Sequence, residues 1–116
     1  MTFQSTELEA MPVIGTFTAV KDGYAGTIRT LILNSKVQIL ANDRKEGDGA
    51  PEFRIMAGST EIGAAWRKTK RGSEETYLRV MLDDPSLSQP IWGVLLETTE
   101  DGMARLVWRR NRREGS

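Results

Sequence analysis

Cysteine and histidine are both missing from the 116-residue chain. Their absence excludes disulfides and zinc sites built on thiolate or imidazole. It also excludes cysteine nucleophiles and every histidine general base, so Ser–His and Cys–His chemistry is ruled out. Proline is sparse, with 4 residues, and aromatic residues make up only 7%. Apolar runs are short, Leu31-Ile32-Leu33 being typical, and none approaches the ~18 residues of a membrane span. Neither sign of charge dominates, because 16 Lys and Arg balance 16 Asp and Glu. A uniformly cationic coat for nucleic acid is thereby excluded, whereas a local basic face is not, since net charge is only a sum. The first residues carry Glu7 and Glu9 and no Lys or Arg, unlike the basic start of a signal peptide. The expected location is the cytoplasm, with which the lack of cysteine agrees.

What is present is short-range alternation. Val13 to Val20 is rich in Val, Ile, Thr and Phe, the residues that suit a pleated surface. Lys21-Asp22-Gly23 reads as a hairpin turn. Tyr24 to Leu33 follows, then Lys36 to Ala41, in which Val37, Ile39 and Ala41 alternate with Lys36 and Gln38. Asn42 to Pro51, polar and glycine-bearing, reads as a loop. Phe53 to Ala57, Ile62 to Thr69, Thr76 to Asp83, Pro90 to Thr98 and Met103 to Arg110 complete the strands. Predicted core positions are Ile28, Leu78, Val80, Leu82, Val94, Leu96 and Leu106. Every connection is too short for a parallel crossover, and no window holds a helical stripe.

The fold expected is therefore all-β. It is a small antiparallel barrel, OB-like and partly open, or a two-sheet sandwich, of about seven or eight short strands. One domain spans residues 13–110, after a loose N-terminal arm (1–12) and before a basic polar tail (111–116). Ile14-Gly15 and Ile62-Gly63 each open a hairpin that turns near a glycine and returns through a tyrosine, Tyr24 or Tyr77, a faint internal echo.

Two constellations could carry binding. In the hairpin 66–79, Trp66, Arg67, Lys68, Lys70, Arg71, Tyr77 and Arg79 interleave cations with aromatic rings. Single-stranded nucleic acid needs this combination, because cations neutralise phosphates and rings stack on bases. The plainer alternative, favoured by parity with Ile62 and Ala64, places Trp66 in the core and leaves the cations on a solvated hairpin tip. In the C-terminal segment, Arg105, Arg109, Arg110, Arg112 and Arg113 surround Trp108. They read either as an anion-binding tail or as a solubilising terminus.

Two acidic features lead nowhere catalytic. Asp83 and Asp84 are adjacent, so on a strand they point to opposite faces, and before Pro85 they serve as turn initiators. The loop holding Asp43, Glu46 and Asp48 lacks calcium-loop spacing. No nucleotide-binding or nucleophile-elbow motif occurs, and no metal or cofactor is expected.

The chain resembles the bacterial family catalogued as domain of unknown function 736. The resemblance rests on Ile14-Gly15-Thr16-Phe17, Gly26-Thr27-Ile28-Arg29-Thr30-Leu31 and, most specifically, Glu61-Ile62-Gly63-Ala64-Ala65-Trp66. Tyr77-Leu78, Leu82-Asp83-Asp84-Pro85, Pro90-Ile91 and Trp108 complete it. The resemblance implies a small cytoplasmic protein carried near plasmid-transfer and integrative-element genes, and no assigned activity. The expectation is a non-enzymatic binding protein of bacterial mobile elements, with single-stranded nucleic acid as first candidate ligand. The second reading is a protein–protein module, an inhibitor or accessory factor acting on a host or conjugative complex.

Overall fold

Strand-forming residues in short alternating runs, punctuated by glycine turns, give eight strands. These are β1 (Val13–Val20), β2 (Gly23–Arg29), β3 (Asn34–Ala41), β4 (Phe53–Ala57), β5 (Thr60–Thr69), β6 (Thr76–Leu82), β7 (Ile91–Leu96) and β8 (Ala104–Trp108). The computed structural model describes residues 12–31, 33–43, 47, 49–69, 72, 74–97 and 103–108. The predicted arm up to Met11 and the predicted tail therefore lie outside the described residues. Pro12 is described, and its carbonyl accepts the Trp108 backbone N–H at 2.9 Å.

Each strand pairs antiparallel with the next, and β8 pairs back onto β1, closing the barrel. A small antiparallel barrel was the first of the two expected architectures. Its detail differs from an OB-like one: OB barrels use five strands in a partly open Greek key, whereas here each of eight strands lies beside its sequence neighbour and the ring is closed. Short polar turns make this arrangement, since they allow only nearest-neighbour pairing.

Eight strands leave an interior just wide enough for side chains to fill. Phe17, Ile28, Ile39, Ile55, Leu78, Val80, Leu95 and Leu106 meet there, each no more than 2% exposed. Glycines allow the strands to coil tightly around this core. A Cβ on Gly63 would sit 2.0 Å from the Met81 carbonyl oxygen, so only glycine lets β5 approach β6 this closely. Gly23, at φ 153°, occupies a backbone conformation that side-chain-bearing residues rarely adopt.

Three expectations need correction. The strand expected to run from Tyr24 to Leu33 ends at Arg29. Thr30 closes a turn instead: its N–H donates to the Leu33 carbonyl at 2.8 Å, and its hydroxyl accepts the Leu33 N–H at 3.0 Å. Leu31 is left fully exposed at the apex. On β7 the inward phase is reversed. Leu95 faces Leu78 and Leu106 inside the barrel, while Val94 is buried in a second, outer cluster with Tyr77 and Val107, against which Leu96 packs. The internal echo holds only at its openings: Ile14 and Ile62 are each the unpaired residue of a bulge before a glycine and pack against the core, whereas Tyr24 packs against the main core and Tyr77 belongs to the outer cluster.

Candidate functional site

A β-bulge decides which side chains reach the outer surface of β5. Ile55 faces Gly63, but the next residue, Met56, faces Glu61, so Ile62 is the extra residue. A bulge shifts the alternation by one. Ile62 therefore packs against the core, and beyond it Gly63 and Ala65 face the core residues Leu82 and Val80. Trp66 and Lys68 take the opposite face and point outward. The core placement of Trp66, argued from parity with Ile62, is thus overturned by the bulge.

Registers then define one wall. Trp66 faces Arg79, Arg79 faces Val94, and Val94 faces Val107. Lys68 faces Tyr77, and Leu96 faces Arg105. Facing residues share a face of the sheet, so Trp66, Lys68, Tyr77, Arg79, Leu96 and Arg105 all lie on the outer wall of β5–β8. Of the cations expected to bind, Lys68 and Arg79 from the hairpin and Arg105 from the C-terminal segment are thereby brought onto the same side of the barrel.

At the centre of this wall the rings of Trp66 and Trp92 stack, with centroids 6.2 Å apart and planes inclined by 27°. The Arg79 guanidinium lies 4.2 Å from the Trp92 ring centroid, within the range of a favourable cation–π contact. Trp92 is 42% exposed. Trp66 is half-buried, and its indole N–H donates to the Gly49 carbonyl at 3.0 Å, which ties the β3–β4 loop to the wall. Lys68 is exposed. Neither Lys68 nor Arg79 has an acidic partner among the described residues.

Other predicted site residues sit elsewhere. Arg67 has the core-facing parity of Ala65 and reaches the barrel end bounded by the β5–β6 turn. There its Nη1 donates to Glu97 Oε1 at 2.6 Å, and its guanidinium lies 5.8 Å from the Phe53 centroid. Tyr77 is outward but 2% exposed, so it supports the wall and offers no open ring. Burial pushes its phenol above its usual pKa. Lys70, Arg71, Arg109, Arg110, Arg112 and Arg113 lie outside the described residues.

The sequence reading did not select Trp92, because its contact with Trp66 reaches across β6 and depends on the phase of β7. It also passed over Tyr24 and Glu97, whose side chains meet although they are 73 residues apart. A regular spacing could not signal either pair. Asp84 behaves as a turn residue: its Oδ2 accepts the Ser86 N–H at 2.9 Å and the Ser86 hydroxyl at 2.6 Å. These bonds hold its carboxyl below the usual carboxylate range. Among the described residues no group of three or more acidic, cysteine or histidine side chains is placed to hold a metal. No helix among them is long and apolar enough to cross a membrane, which says nothing of strands.

The family described as "Protein of unknown function (DUF736)" matches residues 13–111. That span contains all eight strands, so the unit shared by the family is the complete barrel, and the chain belongs to this family. No curated protein and no solved structure matches the chain.

Proposed function

We propose that this DUF736 barrel is a non-enzymatic binding protein whose ligand is single-stranded nucleic acid, taken up on the outer wall of β5–β8. The observation that carries the reading is the exposed Trp92, stacked on Trp66 and flanked by Arg79, with Lys68 on the same wall. Base–aromatic stacking contributes about 1–3 kcal/mol per base and tolerates any sequence. A guanidinium lying on an indole keeps its planar fork oriented for phosphate or base edges. Zero net charge makes the interaction local, so a few contacts carry it. The family resemblance supports a setting in the bacterial cytoplasm, on mobile elements.

The test is titration of a labelled single-stranded oligonucleotide across a range of salt. Affinity should fall by about 0.7 log units per log unit of salt for each phosphate contact. Trp92→Ala should cost about 1–3 kcal/mol of binding while leaving the melting temperature nearly unchanged. Lys68→Ala should reduce the salt slope by about 0.7. If micromolar protein retains no oligonucleotide even at low salt, the reading is wrong.

A second reading shares the same observation. Trp and Arg are the residues over-represented in protein–protein hot spots, and balanced charge suits a protein partner. On that reading Trp92→Ala abolishes capture of a partner protein, while oligonucleotides are ignored by both forms.

A further inference from the structure

The barrel has two unlike ends. One is crossed by the ion-paired Arg67 and Glu97. At the other, where β2, β3, β4, β5 and β6 meet the β6–β7 loop, the side chains leave a cavity of about 190 Å³. Its walls are apolar, with Ile28, Val37, Ala57, Ile62 and Leu82 from the strands and Leu87 from the loop. The loop that supplies Leu87 is tied to β5 by one backbone hydrogen bond and turns on itself through another. The Asp83 N–H donates to the Ile62 carbonyl at 2.7 Å, and the Leu87 N–H donates to the Asp84 carbonyl at 2.8 Å.

The charged lining is of one sign. The polar lining consists of Asp83, Asp84, Ser35 and Ser86, with no lysine or arginine among the described lining residues. Asp84 is held in place by both Ser86 hydrogen bonds, which fall on the same oxygen, Oδ2. The site thus pairs an apolar chamber with a fixed anionic rim.

The geometry points to a binding site for a small organic amine, with a compact apolar body inside the chamber and an ammonium group at Asp83 and Asp84. Size supports the body. An apolar cavity of about 150 Å³ takes up benzene, so this slightly larger one fits a ring or a short branched chain with its amine-bearing carbon. Charge supports the head: the rim is acidic, and an anionic ligand of the same shape would meet repulsion. The chamber lies in the barrel mouth and not on the wall of Trp66 and Trp92, so this site and the proposed nucleic-acid face stand or fall separately.

Benzylamine is the probe, with benzyl alcohol and benzoate as controls of similar body. Binding is read from saturable shifts of backbone amide resonances in the full-length protein. Benzylamine should move the amides of Val37, Ala57, Leu82 and Leu87, and bind about 1.5- to fivefold more tightly than benzyl alcohol, the range for exposed ion pairs. Benzoate should bind more weakly than either. In the double variant Asp83→Asn, Asp84→Asn the preference for the amine should vanish while benzyl alcohol binding stays. In Ala57→Leu, which fills the chamber, both should be lost at an unchanged melting temperature. Absence of saturable shifts with benzylamine in the parent protein overturns the site, whatever the variants do. Equal affinity for amine and alcohol in the parent overturns the assignment of an amine. Shifts confined to the face of Trp92 overturn the location.

Discussion

Tyr24 shows how far one side chain can be displaced from its solution chemistry by its place in the barrel. Its hydroxyl donates to Glu97 Oε2 at 2.7 Å, and its ring lies 6.4 Å from that of Phe53. Burial is the largest reason that its pKa is pushed up from 10.0 to about 12. The hydrogen bond to Glu97 and the Glu97 charge add to this, and Arg67 opposes it. The folded state therefore holds the phenolic proton more tightly than the unfolded state. By linkage, its contribution to stability is fully present below pH 10 and is lost as pH rises toward 12. Denaturant midpoints measured from pH 9 to 12 should fall in that window, and Tyr24→Phe should flatten the fall relative to the parent. An alkaline limb of unchanged steepness in Tyr24→Phe would show that other groups set it. The same residue illustrates a limit of sequence reading. Tyr24 lies on β2, Arg67 on β5 and Glu97 just after β7, and nothing in local spacing announces that they meet at one end of a ring.

At the scale of the element, β5 decides what the protein presents to solvent. The bulge at Ile62 reverses the facing of every later residue, so Trp66 and Lys68 join the outer wall and Arg67 the barrel end. Gly63, directly after the bulge, lets β5 and β6 close. Gly63→Ala would place a Cβ against the Met81 backbone, which cannot move without breaking the ladder. It should lower the melting temperature severely or prevent folding. Gly49→Ala, by contrast, places its Cβ in open space and should leave the melting temperature within a few degrees of the parent, because mutations clear of packed features change stability by about 0.5 kcal/mol or less. Calorimetry of the two variants checks both. Equal tolerance would mean that the close approach of β5 and β6 is not needed. Strand existence was legible here: β1 and β4 were expected with their observed bounds, since alternation and turn residues agree there. Phase was legible only where one face is plainly polar. On β6, Leu78, Val80 and Leu82 alternate with Tyr77, Arg79 and Met81, and the expected facing is found. On β7 nearly all residues are apolar, from Ile91 to Leu96, so both faces read alike and Val94 was placed inside in preference to Leu95. The bulge on β5 removed the remaining information, because its extra residue leaves no mark on the pattern.

For the whole molecule the decisive contact joins the ends of the described chain. Gly15 faces Leu106, Thr16 faces Arg105 and Phe17 faces Ala104. A sandwich and a barrel have the same alternation and the same turns, so closure could not be read from periodicity. It depends on whether the first and last strands find each other. Once they do, no sheet edge remains, which removes a template for aggregation and leaves side chains on the walls or at the mouths as the means of recognition. Closure also brings Val13 beside Val107, so the chain ends can be joined and a new break made elsewhere. Gly58 and Ser59 form an exposed turn between β4 and β5, the kind of site at which permutation succeeds. A circular permutant opened there, with the native ends linked through a short Gly-Ser segment, should fold to a barrel with a melting temperature near that of the parent. It keeps β5 to β8 contiguous in sequence, and with them Trp66, Arg79 and Trp92. Deleting residues 103–116 should have the opposite effect. It strips Ala104 and Leu106 from the core and exposes the edges of β1 and β7, so unfolded or aggregated protein is expected by circular dichroism and light scattering. If the truncated chain instead remains a monomer with the parent's melting temperature, pairing of β8 with β1 does not hold the barrel together. If the permutant folds and retains the parent's oligonucleotide affinity and salt slope, the wall acts as a surface of the closed ring and does not depend on the original order of its strands.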